Sequence, residues 1–261
     1  MRLFSMKKSI LSLVLALAAV SAHAQFTHGT TGLLEMPTAD MQKDKTVMIG
    51  GGYLDDTTTP PRWDYNTWNY YLNVTIFPWL EVAYTCTIFS EWANKSIGVY
   101  MKNQDRNYSV RLRLWKEGWW KKWTPQIVIG SNDIGTSADG SGLTQSTYGN
   151  GYWNRYFLAV TKHFEFAKVG NLGVHATYIY NERIDNPMNG PAFGVNFRFG
   201  LPGDSFWRKA VNGVNLMAEY DAKDVNIGLQ YAVWKDRING FFELSRCKYP
   251  SAGLCLKICL K

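Results

Sequence analysis

The sequence predicts an all-β fold: an up-and-down transmembrane β-barrel of about twelve antiparallel strands, with a short N-terminal plug or lead-in segment at its mouth. Three observations carry that reading. Beyond residue 45, apolar and polar residues alternate with period two through one segment after another, the pattern of strands whose two faces meet different surroundings. Most of these segments run nine to thirteen residues. A tilted strand needs roughly 9 to 11 residues to cross a bilayer, whereas soluble strands average about 5 or 6. Finally, the 11 tryptophans gather at segment ends and avoid the middles, as rings with one polar handle do at a membrane interface. With 46% hydrophobic, 15% aromatic and only 19% charged residues among 261, the chain is no disordered polymer. Outside the extreme N-terminus it has no apolar run long enough for a membrane-spanning helix.

Residues 1–24 read as a secretory signal peptide: Arg2, Lys7 and Lys8 form a basic start, Ile10 to Val20 an apolar core, and Ala22-His23-Ala24 a small-x-small cleavage site. Met6 would start an equally good signal. A permanent helical anchor is disfavoured by the short apolar core, and Gln25, not being Cys, argues against a lipoprotein anchor. Cleavage before Gln25 takes the formal net charge from +7 to +4, an excess that identifies no partner. Residues 25–44 do not alternate. They either fold into the barrel mouth as a plug or form a simple periplasmic lead-in, and the barrel proper is 45–261.

The strands are expected at 46–54, 66–77, 79–89, 107–115, 125–133, 152–164, 171–181, 191–200, 213–221, 225–234, 237–246 and 252–260. In the eighth, Phe193, Val195, Phe197 and Phe199 alternate with Gly194, Asn196 and Arg198; in the tenth, Val225, Ile227, Leu229, Tyr231 and Val233 alternate with Asn226, Gly228, Gln230 and Ala232. An even strand count puts both termini on the periplasmic side. The longer connections (55–65, 90–106, 134–151, 182–190) then fall outside with 222–224 and 247–251, and most of the shorter ones fall inside. Ile97, Val99 and Met101 would make a thirteenth strand, which parity assigns to an outer loop. Trp63, Trp68, Trp92 and Trp153 fall at the outer rim; Trp79, Trp115, Trp119, Trp120, Trp123, Trp207 and Trp234 fall at the periplasmic rim. A continuous apolar face is tolerable only in lipid, and a spanning sheet must close to leave no unpaired backbone, which disfavours a soluble sandwich.

The same parity aims a polar set into the lumen: Arg111, Arg113, Asn196, Arg198, Glu219, Asp221, Gln230, Glu243 and Lys257, with Asn73, Thr75, Gln126, Asn215, Asn226 and Asn239. It reads as a network that stiffens the barrel, as a track for a hydrated polymer, or as both. Chemistry-bearing motifs are scarce. His28, His163 and His175 are in no metal-binding spacing, and no nucleophile elbow, phosphate loop or dinucleotide fingerprint occurs. No catalytic residue, metal or cofactor is expected. The acids of the Asp133 to Gly142 loop miss a calcium-loop spacing. Basic residues are scattered, which gives nucleic-acid binding no support. Cys86, Cys247, Cys255 and Cys259 fit no zinc motif or disulfide scaffold, although Cys247 and Cys255 could meet across a final hairpin.

The segment Thr31-Gly32-Leu33-Leu34-Glu35-Met36-Pro37-Thr38-Ala39 resembles the N-terminal signature of the YjbH-type outer-membrane proteins of exopolysaccharide and capsule assembly, through Thr31, Gly32, Pro37, Thr38 and Ala39. Phe77-Pro78-Trp79-Leu80-Glu81, the stretch from Leu114 to Gly118, Ile129-Gly130 with Asp133-Ile134-Gly135, and Ala218-Glu219-Tyr220-Asp221 are similar as well, in the family's order. The resemblance implies an outer-membrane barrel of a diderm bacterium that takes part in production, assembly or export of an extracellular polysaccharide. Its expected partners are outer-membrane lipid, polysaccharide and periplasmic assembly proteins. Larger members have additional domains, whereas this chain has one barrel's worth of residues, so an accessory role gains weight. The competing expectations are a generic narrow or structural barrel and, further off, a barrel enzyme acting on lipid or glycan.

Overall fold

The computed structural model describes residues 25, 27–59, 67–134, 153–181, 188–234 and 236–260; the segment 1–24 expected as a signal peptide, Trp63 and residues 135–152 of the Gly/Ser-rich stretch lie outside them. Twelve strands form the wall: β1 (Thr46–Leu54), β2 (Thr67–Phe77), β3 (Leu80–Asn94), β4 (Val99–Trp115), β5 (Gln126–Asn132), β6 (Arg155–Phe166), β7 (Gly170–Tyr180), β8 (Gly190–Phe199), β9 (Val214–Tyr220), β10 (Val225–Val233), β11 (Ile238–Ser245) and β12 (Tyr249–Cys259). Each pairs antiparallel with its neighbours in sequence, and β1 closes the barrel by pairing with both β2 and β12, Thr46 lying opposite Thr75 and Cys259. Closure satisfies the backbone of every strand within the sheet, the condition for crossing hydrocarbon.

Alternation decides which face is which. Along β8, Phe193 and Val195 are exposed while Ala192, Gly194 and Asn196 are buried; along β10, Val225, Ile227, Leu229, Tyr231 and Val233 are exposed around buried Asn226 and Gln230. The exposed face is the apolar one, the inverse of a soluble protein, so its surroundings are lipid. Both ends of the barrel wall meet at one mouth, where the Leu260 amide donates to the Lys45 carbonyl. That mouth also carries the short turn at Pro78 and the connection from β8 to β9. There the helix α1 (Phe206–Asn212) starts at Ser205, whose hydroxyl caps the Arg208 amide. Among the described residues no helix is long and apolar enough to cross a membrane.

Two expectations are revised. The connection expected as an outer loop over 90–106 is mostly strand: β3 and β4 run on as a hairpin that pairs Ser90 with Lys102 and Trp92 with Tyr100 and turns at Lys95–Ile97. The alternation at Val99 and Met101 therefore belongs to β4, not to a thirteenth strand. Cys247 and Cys255 do not meet either. The turn before β12 is tight, with Ser245 already opposite Tyr249, so Cys247 sits at its tip while Cys255 lies opposite Asn239. All four cysteines are free thiols.

Among the described residues, the periplasmic rim, where both ends of the wall meet, is the more aromatic of the two. Trp79, Trp119, Trp120, Trp123, Trp207 and Trp234 are all exposed there, with Lys121 over the Trp120 ring and Arg237 over that of Trp234. At the outer rim Trp68 faces out, but Trp153 departs from the expected belt. It shares the inward parity of Arg155 and Phe157, is 2% exposed, and meets the His28 ring edge-on at 5.3 Å inside the barrel.

The plugged lumen as candidate functional site

Residues 27–42 are buried, and they fill the lumen. That burial fits the plug alternative. The segment has no strand periodicity because its backbone is held from outside itself, by side chains of the wall. Asn69 and Asn73 donate amide hydrogens to the Thr27 and Gly29 carbonyls, and the Thr85 hydroxyl donates to His28 O. Thr31 gives both its N–H and its hydroxyl to the Glu81 carboxylate, at 2.7 Å each. Arg111, wholly buried, pairs with Glu81 at 3.0 Å and also donates to the Thr38 and Asp40 carbonyls. A buried pair of this kind needs further hydrogen bonds to offset desolvation, and here the plug backbone supplies them.

The middle of the plug is a tight turn, closed by the Leu33 N–H donating to Met36 O and flanked by a bridge between Gly32 and Pro37. Three successive amides, those of Leu34, Glu35 and Met36, converge on the Glu219 carboxylate at 2.7 to 3.1 Å. Such an array of N–H groups is a nest for acceptor oxygens, and the wall fills it with the Glu219 carboxyl group. Side chains of the turn point the other way, into apolar packing: Leu33, Leu34, Met36, Ala39 and Met41 cluster with Val128, Phe157, Ala159, Ile179, Ala192 and Met217 of the wall. Two inward glycines make room. A Cβ on Gly194 would overlap the Leu33 methyl, and one on Gly228 would sit 2.7 Å from Leu34. Further along, Thr177 donates to Pro37 O, Gln126 to Ala39 O, and the Ala39 amide donates to Thr161.

Each signature residue therefore has a seat: Thr31 on Glu81, Gly32 beneath the Gln25 side chain, Pro37 on Thr177, Thr38 on Arg111, Ala39 on Thr161 and Gln126. Of the lumen-facing set expected from sequence, Arg111, Glu219, Asn73 and Gln126 hold the plug. The others are divided by it. On the outer side Asp221 accepts from the Lys223 and Asp224 amides and from Asn226, and Glu243 accepts from Ser245. Toward the periplasm Gln230 donates to Asn239, Lys257 pairs with Asp236 at 2.8 Å, Asn196 joins His175 to Asn215, and Arg113 and Arg198 lie half-buried. Thr85, Arg155, Thr161 and Thr177 hold the plug without having been singled out from sequence, and Glu81 figures there only within the family resemblance.

At the periplasmic mouth the plug leaves through a small charged cluster. Glu117, in the turn after β4, accepts from Lys162 Nζ at 2.6 Å and from the His163 N–H at 3.0 Å, while its other oxygen lies 2.7 Å from His163 Nδ1; His163 Nε2 lies 3.5 Å from Asp40. Burial alone would raise the Glu117 carboxyl; the bonds from His163 and Lys162 outweigh it and hold the group below its ordinary 4.5. Among the described residues no group of His, Cys, Asp and Glu is arranged to hold a metal ion.

The sequence matches, over residues 24–237, the YjbH family, described as exopolysaccharide biosynthesis protein YbjH. The chain belongs to the YjbH family. That match spans the plug and the wall from β1 to β10, so the signature and its seats fall inside the family's shared region. A comparison with curated protein sequences gives no match. Among solved structures, the chain is similar to the calcium-bound dimer of outer membrane phospholipase (OMPLA) of Salmonella typhi, at 14% identity over 84% of this chain and 91% of that one, with a TM-score of 0.36. It is also similar to outer membrane phospholipase A from Escherichia coli, at 14% identity over 84% and 97%, with a TM-score of 0.37. At that level nothing about chemistry carries across to this YjbH-family barrel.

Proposed function

We propose that this protein, exported through cleavage of its signal peptide after Ala24, resides in the outer membrane of a diderm bacterium and takes part, without catalysis, in production, assembly or export of an extracellular polysaccharide such as a capsule or biofilm polymer. The observation that carries the reading is the family match across plug and wall together. Its lumen is closed at rest. A polymer would pass only with the plug displaced, and otherwise the barrel serves as an outer-membrane platform for periplasmic assembly proteins.

A non-enzymatic role is supported by an arrangement among the described residues that invites a catalytic reading. Thr161 Oγ1 lies 2.9 Å from His175 Nδ1, and His175 Nε2 lies 2.8 Å from Asn196, a hydroxyl, imidazole and amide in series. The hydroxyl is wholly buried and accepts the Ala39 amide of the plug, so no substrate carbonyl reaches it. The filled lumen favours a second reading, a structural barrel without a polysaccharide role.

Deletion of the gene, with complementation, separates the two. Extracellular polysaccharide should fall on deletion and return with the wild-type gene; an unchanged amount sinks the polysaccharide role. Complementation by His163→Ala or His175→Ala chains argues against a histidine-dependent enzyme. In planar bilayers the intact barrel should be silent and one lacking residues 25–44 should conduct.

A further inference from the structure

Gln25 is the first residue of the mature chain if the proposed cleavage after Ala24 holds, and it lies fully buried in the lumen. Its backbone nitrogen donates to Thr30 O at 2.6 Å and its carbonyl accepts the Gly29 amide at 2.9 Å. The side-chain oxygen accepts from the Thr30 hydroxyl at 3.3 Å and from Arg155 Nη2 at 3.2 Å. The side-chain nitrogen, equally buried, has no hydrogen-bond partner. Turning the amide over does not help, because Arg155 can only donate and would then face a second donor. The side chain is also pinned from below by Gly32, where a Cβ would overlap it.

Cleavage makes this worse. It turns the Gln25 nitrogen into an ammonium with three hydrogens where the structure offers the acceptor Thr30 O, on a residue whose side-chain oxygen already takes the Arg155 guanidinium. A buried ammonium whose hydrogens are not all accepted is costly for a folded protein.

We propose that the mature N-terminus is pyroglutamate, formed from Gln25 itself. The α-amine in its neutral form attacks the side-chain Cδ; the N–Cδ bond forms, the Cδ–Nε2 bond breaks, and the departing nitrogen takes a proton from the α-nitrogen and leaves as ammonia. No oxidant, reductant or other reactant enters. The lactam nitrogen retains one hydrogen, for Thr30 O. The lactam oxygen remains the acceptor for Thr30 and Arg155. What disappears is the partnerless amide nitrogen and the positive charge. The plug thus begins with a neutral, ring-closed cap in place of a charged end in the lumen.

The proposal rests on the cleavage reading, and one experiment separates their fates. The barrel is extracted from outer membranes in detergent, spiked before digestion with an isotope-labelled synthetic peptide that begins with open Gln25, and its N-terminal peptide is measured by mass spectrometry. The expected result is a peptide starting at residue 25 and lighter by one ammonia in nearly all molecules, while the labelled peptide stays mostly open. A peptide that starts elsewhere overturns the cleavage reading and the modification with it. A peptide that starts with open Gln25, or is cyclised no more than the spike, overturns the modification alone.

Discussion

Two stretches of the plug are held by different physics. Residues 27–31 lie against β2 and β3 and are held through polar contacts, with wall amides and hydroxyls reaching plug carbonyls and Glu81 taking both donors of Thr31. Residues 33–41 lie against β5 to β10 and add apolar packing, with Leu33, Leu34 and Met36 seated among Val128, Phe157, Ile179 and Met217. Hydrogen bonds to backbone mostly exchange one partner for another, so their net worth is about 1 kcal/mol each, while a buried leucine contributes about 1.5 to 3 kcal/mol. The first stretch therefore sets position and the second supplies most of the holding energy.

The largest effect is expected where the two stretches share a charge. Arg111 reaches Glu81, which holds the first stretch, and the Thr38 and Asp40 carbonyls of the second. Arg111→Met strands the Glu81 carboxylate in a dry site and should cost about 3 to 5 kcal/mol of plug seating. It should show as conductance in bilayers and as rapid proteolysis of the plug in an otherwise intact barrel. Adding Glu81→Gln should recover a good part of the loss; no recovery would mean that the pair is not what couples the stretches.

Leu33→Ala tests the apolar stretch directly. It empties the socket above Gly194 and should cost about 2 to 4 kcal/mol. Thr85→Val is its counterpart in the polar stretch, removing one bond to His28 O at nearly constant shape, and should cost only about 1 kcal/mol. Protease clipping rates within the plug, measured side by side, compare them. Equal rates would dismiss the division of labour.

The same contrast explains what the sequence made legible. Period two named the strands to within a few residues, except at the outer ends of β3 and β4, and aimed Arg111, Glu219 and Asn226 inward, because a one-residue slip would have turned every apolar side chain of β8 or β10 away from lipid. The plug's seat left a fainter trace. Its backbone is held by wall side chains, and an N–H or carbonyl has no residue type to read. Yet the wall carried a signal: Val128, Phe157, Ile179 and Met217 share the inward parity of polar neighbours, and apolar side chains facing a water-filled lumen would be out of place. Inward Gly194 and Gly228 mark where something approaches closely. Trp153 stands at the outer end of its strand as its type suggests, but its parity with Arg155 turns it inward onto His28.

The smallest effect belongs to the periplasmic mouth. Glu117 ties the tryptophan-bearing turn to Lys162 and His163, and His163 in turn faces Asp40 where the plug leaves. Its carboxyl is held below 4.5 in the folded protein, so the bond network contributes stability above that value and loses it as pH falls through the lower, folded value. The group is partly exposed, so its contribution is no more than about 1 kcal/mol. Acidification should therefore loosen the turn while leaving the plug seated. Fluorescence of Trp119, Trp120 and Trp123 should change in that acidic window, with no conductance appearing, and Glu117→Gln should abolish the change. If conductance instead rises together with fluorescence, the mouth cluster holds the plug, and the energy assigned to the leucine sockets is too large.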